Sequence, residues 1–210
     1  MRSAIEGRRE RKKRQTRDAL ALASRRLFAE HGYQATTIAD VAHEAGVSPR
    51  TFFSYFPSKD AVLFAPVEGV IADIEHELEH GDGPAFDILR SWVVDHEPWF
   101  TQELPALHVL LDRVVCEDDG IAIAALGFVE RAAMAIAHKL RVELGSDPND
   151  TLPEMAALST IVAFAAAMPG RTRERSPGAV EAAGTRVLAD LDRAITFAQA
   201  GIAATLPPRP

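Results

Sequence analysis

The chain has 210 residues, a formal net charge of −7 and a sequence pI near 5.5, an acidity that taken as a whole argues against DNA as a partner. Hydrophobic residues make up 47% and charged residues 25%, which is typical of a folded globular protein and excludes collagen-like, mucin-like and fully disordered classes. Because Cys116 is the single cysteine, neither an internal disulfide nor a cysteine-based zinc site is expected, and a reducing, cytoplasmic location fits best.

The apolar runs of the chain predict neither a signal peptide nor a membrane span. The N-terminus is basic and lacks the apolar run of a signal peptide. The longest apolar candidate, residues 152–168, contains Pro153 and Glu154 and falls short of the roughly 18 uninterrupted apolar residues of a membrane span. We interpret it as a buried helix and expect no membrane partner.

The charge is unevenly distributed along the chain. Residues 1–60 contain 12 Lys and Arg against 7 Asp and Glu, a net charge of +5, whereas residues 61–210 contain 11 against 23, a net charge of −12. The densest basic run comprises Arg8, Arg9, Arg11, Lys12, Lys13, Arg14 and Arg17. Such a run is either a solvated tail or an arm that binds nucleic acid, and the helices that follow it distinguish the two.

Apolar residues recur at helical spacing, and no alternating strand pattern is found, so the sequence predicts an all-α fold of about nine helices. The first helix, residues 9–31, should end at Gly32, which suits a left-handed C-terminal position. Its inner stripe consists of Leu20, Ala23, Leu27 and Phe28. Further helices are predicted over residues 58–80, 84–96, 103–116, 120–144, 152–168 and 177–200, followed by a tail, residues 206–210, that should fray.

Residues 36–59 have the spacing of a helix-turn-helix motif. Thr37, with Asp40 three residues on, caps a short helix that Gly46 ends, and Ser48 with Pro49 starts a second helix through about residue 54. A small residue where the helices cross and an apolar set between them would fix their angle. These residues are Ala42, Ile38, Val41, Val47 and Phe52. The second helix could then enter a DNA major groove, which is about 12 Å wide.

This segment resembles the TetR family of transcriptional regulators over roughly the first 65 residues. The matching residues are Phe28, Gly32, Thr36, Thr37, Ile38, Ala42, Ala45, Gly46, Val47, Ser48, Phe53, Tyr55, Phe56, Ser58 and Lys59. Phe53 departs from the family, which commonly has a tyrosine there that reaches the DNA backbone, so packing becomes the alternative role of this ring. The resemblance implies a helix-turn-helix domain in residues 1–65 and a variable helical effector-binding and dimerisation domain in residues 66–205.

Several residue types in the motif are suited to DNA. Thr36 and Thr37, at a helix start, could hold a phosphate, whereas Arg50 and Thr51 are candidates for base edges, with Arg50 able to donate two hydrogen bonds to guanine. Tyr55 and Lys59 are candidates for backbone contacts. Ser48 either caps its helix or touches phosphate, whereas Phe52 and Phe56 are expected in the core. The full predicted DNA-binding set is Thr36, Thr37, Ser48, Pro49, Arg50, Thr51, Phe53, Ser54, Tyr55 and Lys59.

The resemblance also implies a homodimer and an effector pocket. The last two long helices would pair with their copies as a four-helix bundle, although internal core packing gives the same apolar pattern. A pocket for a small apolar or amphipathic effector is expected among Trp92, Trp99, Phe100 and Phe128, which ordinary core packing would also explain.

Residues 76–80 read His-Glu-Leu-Glu-His, a spacing in which two histidines can bind zinc and a glutamate can activate water. A metal-binding sensor or metal-dependent enzyme using His76 and His80 is therefore the alternative hypothesis, although only His96 or His108 is apparent as a third ligand. No nucleophile-elbow, Walker or dinucleotide-binding pattern is found. We therefore expect neither an enzyme nor a cofactor, but a repressor that binds a palindromic double-stranded DNA operator as a dimer and is released by an effector.

Overall fold

The computed structural model describes the backbone of residues 2–167 and 177–205, and the side chains of residues 7–116, 118–165 and 186–205. Within these ranges the chain forms ten α-helices and one π-helical turn and no strand, which confirms the all-α fold. Two compact units result, one ending at Gly69 and the other beginning at Val70. The predicted tail, residues 206–210, lies outside the described residues, as does Met168 at the end of a predicted helix.

The helices are named here in chain order. They are α1 (Arg2–His31), α2 (Ile38–Glu44), α3 (Pro49–Phe53), α4 (Lys59–Leu63), α5 (Ala65–His80), α6 (Ala85–Asp95), the π-helical turn π1 (Trp99–Glu103), α7 (Leu104–Glu117), α8 (Asp119–Leu144), α9 (Leu152–Ala167) and α10 (Pro177–Thr205).

Helix α1 begins seven residues earlier than the predicted Arg9. Residues 2–8 contain no proline, and Gly7 in an exposed helix costs only about 1 kcal/mol relative to alanine, which does not stop the helix. The basic run from Arg8 to Arg17 is therefore helical rather than an extended arm.

The predicted helix 58–80 is in fact two helices. Helix α4 ends at Leu63, and the N–H of the next residue, Phe64, donates to the carbonyl of Asp60 at 3.0 Å. Pro66 has no N–H to continue the ladder, but a proline is tolerated in the first turn of a new helix, so α5 starts beside it. The sequence also missed π1, which joins Pro98 to α7, and the extension of α10 to Thr205.

The core of the first unit confirms the predicted stripe of α1. Leu20, Ala23, Leu27 and Phe28 are all buried. They share this core with the buried residues Val41, Ala42, Phe52, Phe56, Val62 and Leu63. Helix α1 packs against α2 and α4, and α3 packs against α2.

The core of the second unit is one cluster that joins α5, α6, α8, α9 and α10. By length and composition α8 is apolar enough to cross a membrane, whereas the sequence pointed to residues 152–168 as the longest apolar candidate and to a buried helix there. In the structure, Ile136 and Leu140 of α8 pack into this cluster. Such packing is also typical of the core helix of a globular bundle, so the length and composition of α8 are weak support for a membrane span.

Candidate nucleic-acid interface

The start of α2 is fixed by a reciprocal cap, as predicted. The hydroxyl of Thr37 accepts a hydrogen bond from the N–H of Asp40 at 3.2 Å, and the carboxylate of Asp40 accepts from the N–H of Thr37 at 2.9 Å. The bonds from the Thr37 hydroxyl and N–H lower the pKa of Asp40, helped by His31 and His43. Thr37 is thereby held exposed at the end of the motif.

The turn between α2 and α3 depends on Gly46 and Ser48. Gly46 has φ of 69°, in the left-handed region that favours glycine, and the next N–H, of Val47, donates to the carbonyl of Ala42 at 2.9 Å. The hydroxyl of Ser48 accepts from the N–H of Thr51 at 3.1 Å, so Ser48 caps α3 with Pro49 in its first turn. These local bonds set the angle at which α3 is presented.

Helix α3 has one buried side and one exposed side. Phe52 is fully buried, whereas Arg50 and Ser54 project to solvent and Thr51 is partly exposed. The hydroxyl of Ser54 donates to the carbonyl of Arg50 at 3.3 Å. The exposed side of α3 therefore carries polar side chains that can donate and accept hydrogen bonds.

A basic groove lies beside the end of α3. It has a volume of about 490 Å³. Its lining residues are Glu10, Lys13, Arg14, Arg17, Ser54 and Tyr55. Arg17 fixes the groove, since its guanidinium lies 4.6 Å from the ring centroid of Phe56 and donates to the carbonyl of Tyr55 at 3.5 Å. Three cations of α1 are thus brought to the predicted contact residues Ser54 and Tyr55.

The predicted DNA-binding set did not include Lys13, Arg14 and Arg17 of the basic run. A signal was available, because their spacing of i, i+1 and i+4 places them on the side of α1 that continues towards the buried Leu20. Arg11 and Lys12, equally exposed, do not line the groove. The helical backbone therefore divides one run of like charges into two faces.

Two of the predicted DNA-contact residues, Thr36 and Lys59, already donate hydrogen bonds to backbone carbonyls within the protein. Thr36 is 2% exposed, and its hydroxyl donates to the carbonyl of Gly32 at 2.8 Å. The ammonium of Lys59 donates to the carbonyls of Tyr33 at 2.8 Å and Thr36 at 3.2 Å, and lies 4.1 Å from the Tyr33 ring centroid. Tyr33 in turn donates to Asp60. The geometry gives Thr36 and Lys59 the role of holding α4 against the turn between α1 and α2.

In the second unit, three of the four predicted effector residues form one aromatic group. The Phe100 ring makes edge contacts with Trp92 at 5.4 Å and Trp99 at 5.0 Å between centroids. Trp92 and Phe100 are buried, and the Trp92 indole N–H donates to Asp73 at 2.6 Å, whereas Trp99 is partly exposed. Phe128, on α8, is partly exposed as well.

His76 and His80 stack on the surface of α5 with ring centroids 4.3 Å apart. Nδ1 of His80 lies 3.0 Å from the carbonyl oxygen of His76, so this ring nitrogen can act as a donor to the helix. Among the described side chains, no group of three or more His, Cys, Asp or Glu is arranged to hold a metal.

Two short helices joined by a tight glycine turn, with the second presenting a polar face, define the helix-turn-helix class of DNA-binding proteins. Residues 21–65 match the family of bacterial regulatory proteins described as the tetR family. The transcriptional regulator TcmR of Streptomyces glaucescens is 31% identical over 153 residues, which cover 69% of this chain and 67% of TcmR. The chain belongs to the TetR family of transcriptional regulators. Since this family is not enzymatic, the hypothesis of a metal-dependent enzyme at His76 and His80 is wrong.

Solved structures show the same fold. The TetR-family repressor FadR of Thermus thermophilus, in complex with lauroyl-CoA, has a TM-score of 0.58 at 22% identity, with 92% of this chain and 98% of FadR covered. SmeT, the repressor of a multidrug efflux pump of Stenotrophomonas maltophilia, has in its triclosan complex a TM-score of 0.63 at 19% identity, with 92% of this chain and 96% of SmeT covered.

Proposed function

We propose that this regulator is a cytoplasmic repressor that binds a palindromic DNA operator as a homodimer and is released by a small effector. The observation that carries the DNA-binding part is the exposed face of α3 beside the basic groove. Polar side chains that can read bases lie next to cations that can hold phosphates, which is the division of labour expected of a sequence-specific DNA-binding surface.

Within this surface, Arg50, Thr51 and Ser54 read base edges. Arg50 is the strongest candidate because its guanidinium can donate two hydrogen bonds to one guanine. Phosphates are held at the ends of the motif. The phosphate-binding set comprises Thr37, Ser48, Tyr55 and the groove residues Lys13, Arg14 and Arg17. Pro49 belongs to it only through the backbone beside it, because proline has no N–H of its own.

The homodimer forms through α9 and α10. Met155, Leu158 and Val162 are exposed on α9 at the spacing i, i+3 and i+7, which is one helical face, and Phe197 is exposed on α10. Met155 and Phe197 line a common apolar groove of about 200 Å³. Such a face supports a four-helix bundle with a second copy, which would present two reading helices to half-sites about 34 to 36 Å apart.

The effector is apolar or amphipathic and binds beside Trp99 and Phe100. FadR and SmeT were solved with lauroyl-CoA and triclosan, both of which have large apolar parts. In this chain π1 joins α6 to α7 between Pro98 and Pro105, so the segment that carries Trp99 departs from regular helix geometry. A ligand that prefers one arrangement of this segment would lower operator affinity through its differential affinity for the two states.

The test of the proposed function is selection of bound duplexes from a random DNA pool by the full-length protein. A palindrome with two half-sites one duplex turn apart is expected, because a two-fold dimer reads the same half-site twice. A selected pool without a shared motif, or one with a single unrepeated half-site, would contradict the operator or the dimer respectively.

A further inference from the structure

Among the described residues of the first unit, Phe53 is the large apolar side chain exposed on α3, which is called the reading helix here because it is proposed to read bases. It is 56% exposed on α3, while the ring beside it, Phe52, is fully buried. The two rings meet edge to face, with centroids 5.6 Å apart and an interplanar angle of 85°. Phe52 therefore covers part of the Phe53 ring and leaves about half of this side chain exposed to water.

The chemistry of this ring limits what it can contact on DNA. A phenyl ring has no hydrogen-bond donor or acceptor, so it gains nothing from a phosphate oxygen or from the nitrogen and oxygen atoms of the bases. The apolar group that a major groove displays is the C5 methyl of thymine, and phenylalanine is among the side chains that contact it.

The position of Phe53 on the helix gives the register of this contact. Phe53 follows Arg50 by three residues, so the two side chains are neighbours on one helical face. Cβ atoms at this spacing are about 5 to 6 Å apart, which corresponds to one or two base pairs of duplex rise. A guanidinium and an apolar ring are thus presented side by side.

We propose that Phe53 is a specificity-determining residue that contacts the C5 methyl of one thymine in each half-site, within about two base pairs of the base that Arg50 reads. This inference rests on the proposed DNA-binding function. It assigns to Phe53 a preference for thymine over cytosine and uracil, since these two bases lack the C5 methyl group.

The test replaces each thymine of the selected operator by deoxyuridine, one position per half-site at a time, and measures the affinity of the full-length protein. This change removes a methyl group and leaves the base pairing intact. We expect one position at which affinity falls about fourfold per half-site, the equivalent of burying one methyl group. If every substituted operator binds as tightly as the unsubstituted one, the proposal is overturned. The operator would still be bound, so the proposed DNA-binding function would stand.

Variants of the protein assign the effect to the ring. Phe53→Ala should weaken binding to the thymine operator and should lose the deoxyuridine effect, whereas Phe53→Leu should retain part of it because the side chain remains apolar. Leu22→Ala is the matched control, since Leu22 is 63% exposed on α1, outside the reading helix. If Phe53→Ala keeps the deoxyuridine effect, or weakens all duplexes alike, the ring does not read the methyl group and the proposal is wrong. Thermal unfolding of each variant shows whether it is folded.

Discussion

The guanidinium of Arg17 lies over the ring of Phe56, 4.6 Å from its centroid. One side chain comes from α1 and the other from the segment that follows the reading helix α3, 39 residues further on. A cation–π contact of this kind, in which the cation stays exposed to solvent, contributes about 0.5 to 1 kcal/mol. Its larger consequence is geometric, since it fixes the charged face of α1 against the end of α3.

The groove residues should dominate the electrostatic part of DNA binding. In the double variant Lys13→Ala/Arg14→Ala, affinity should fall on operator and random DNA alike, because phosphate contacts carry no sequence information. If both cations contact phosphates, the slope of log affinity against log salt should become shallower by about 1.8. Titrations at several salt concentrations measure this slope.

The control for the groove is Arg11→Ala/Lys12→Ala, which removes the same charge from the same helix. Neither residue lines the groove, so this variant should change the slope much less. A salt dependence that falls equally in both double variants would show that only the net charge of α1 matters.

Arg50 should contribute to the preference for the operator over random DNA more than to the affinity for DNA in general. Arg50→Ala should lose about 1 to 3 kcal/mol on the selected operator and much less on random DNA, because it removes a bidentate contact to one base. Parallel binding curves on the two duplexes give the comparison. An equal loss on both would mean that Arg50 binds phosphate.

The cap of α2 should be a measurable part of the stability of the first unit. Thr37→Ala should lower the free energy of unfolding by about 1 kcal/mol, since it leaves a helix-end N–H without its partner. Thr16→Ala is the control, because the Thr16 hydroxyl bonds the carbonyl of Lys12 within its own helix. Denaturant melts that give the same loss for both variants would contradict the capping role.

The same cap predicts a pH dependence with a definite sign. The pKa of Asp40 is lowered from its ordinary value of 3.8, mainly by hydrogen bonds from Thr37. Its contribution to stability is therefore present above pH 3.8 and is lost as the pH falls through the lower pKa of the folded state. Asp40→Asn should flatten this acid limb of the stability curve. If wild type and variant lose stability in parallel below pH 4, Asp40 is not the group that titrates.

The apolar face of α9 should hold the dimer together. Leu158→Glu places a charge in that face and should give a monomer with weak operator affinity, measurable by sedimentation and by DNA titration. Ile123→Glu is the matched control, because Ile123 is exposed on α8, outside the proposed interface. A dimer that survives Leu158→Glu and dissociates with Ile123→Glu would move the interface to α8.

The effector proposal can be tested through the two tryptophans of the chain. Triclosan and lauroyl-CoA serve as probes, and an apolar ligand beside Trp99 should change its fluorescence and lower operator affinity. Trp99→Phe should lose the optical signal while Trp92→Phe keeps it, since Trp92 is buried and bonded to Asp73. Binding that changes neither operator affinity nor fluorescence would contradict an effector site there.

Local chemistry explains what the sequence could predict. The cap at Thr37, the turn at Gly46 and the start of α3 at Ser48 each depend on residues within five positions of one another, so their spacing alone indicates them. Tertiary contacts explain the rest. Lys59 reaches Tyr33 across 26 residues, and no periodicity signals that its ammonium is used inside the protein.

The burial of Thr36 was not predicted either, although the motif around it was predicted correctly. A threonine before a capped helix could face either solvent or core, and only the packing of α1 against α2 buries it. In the same way the run of cations in α1 could be recognised from its sequence. Which of these cations line the groove depends on the contacts by which Arg17 holds the continuous helix α1 against Tyr55 and Phe56.

That continuous helix has a thermodynamic consequence for operator binding. Because residues 8–17 are already helical in the free chain, DNA does not have to order a flexible basic arm, and no coupled folding of this segment should contribute to the heat capacity of association. The favourable entropy of the α1 contacts would then come from released counterions, set against little loss of backbone freedom. Because α1 is already helical, calorimetric titrations at several salt concentrations should separate charge neutralisation from sequence reading without a contribution from folding of this segment.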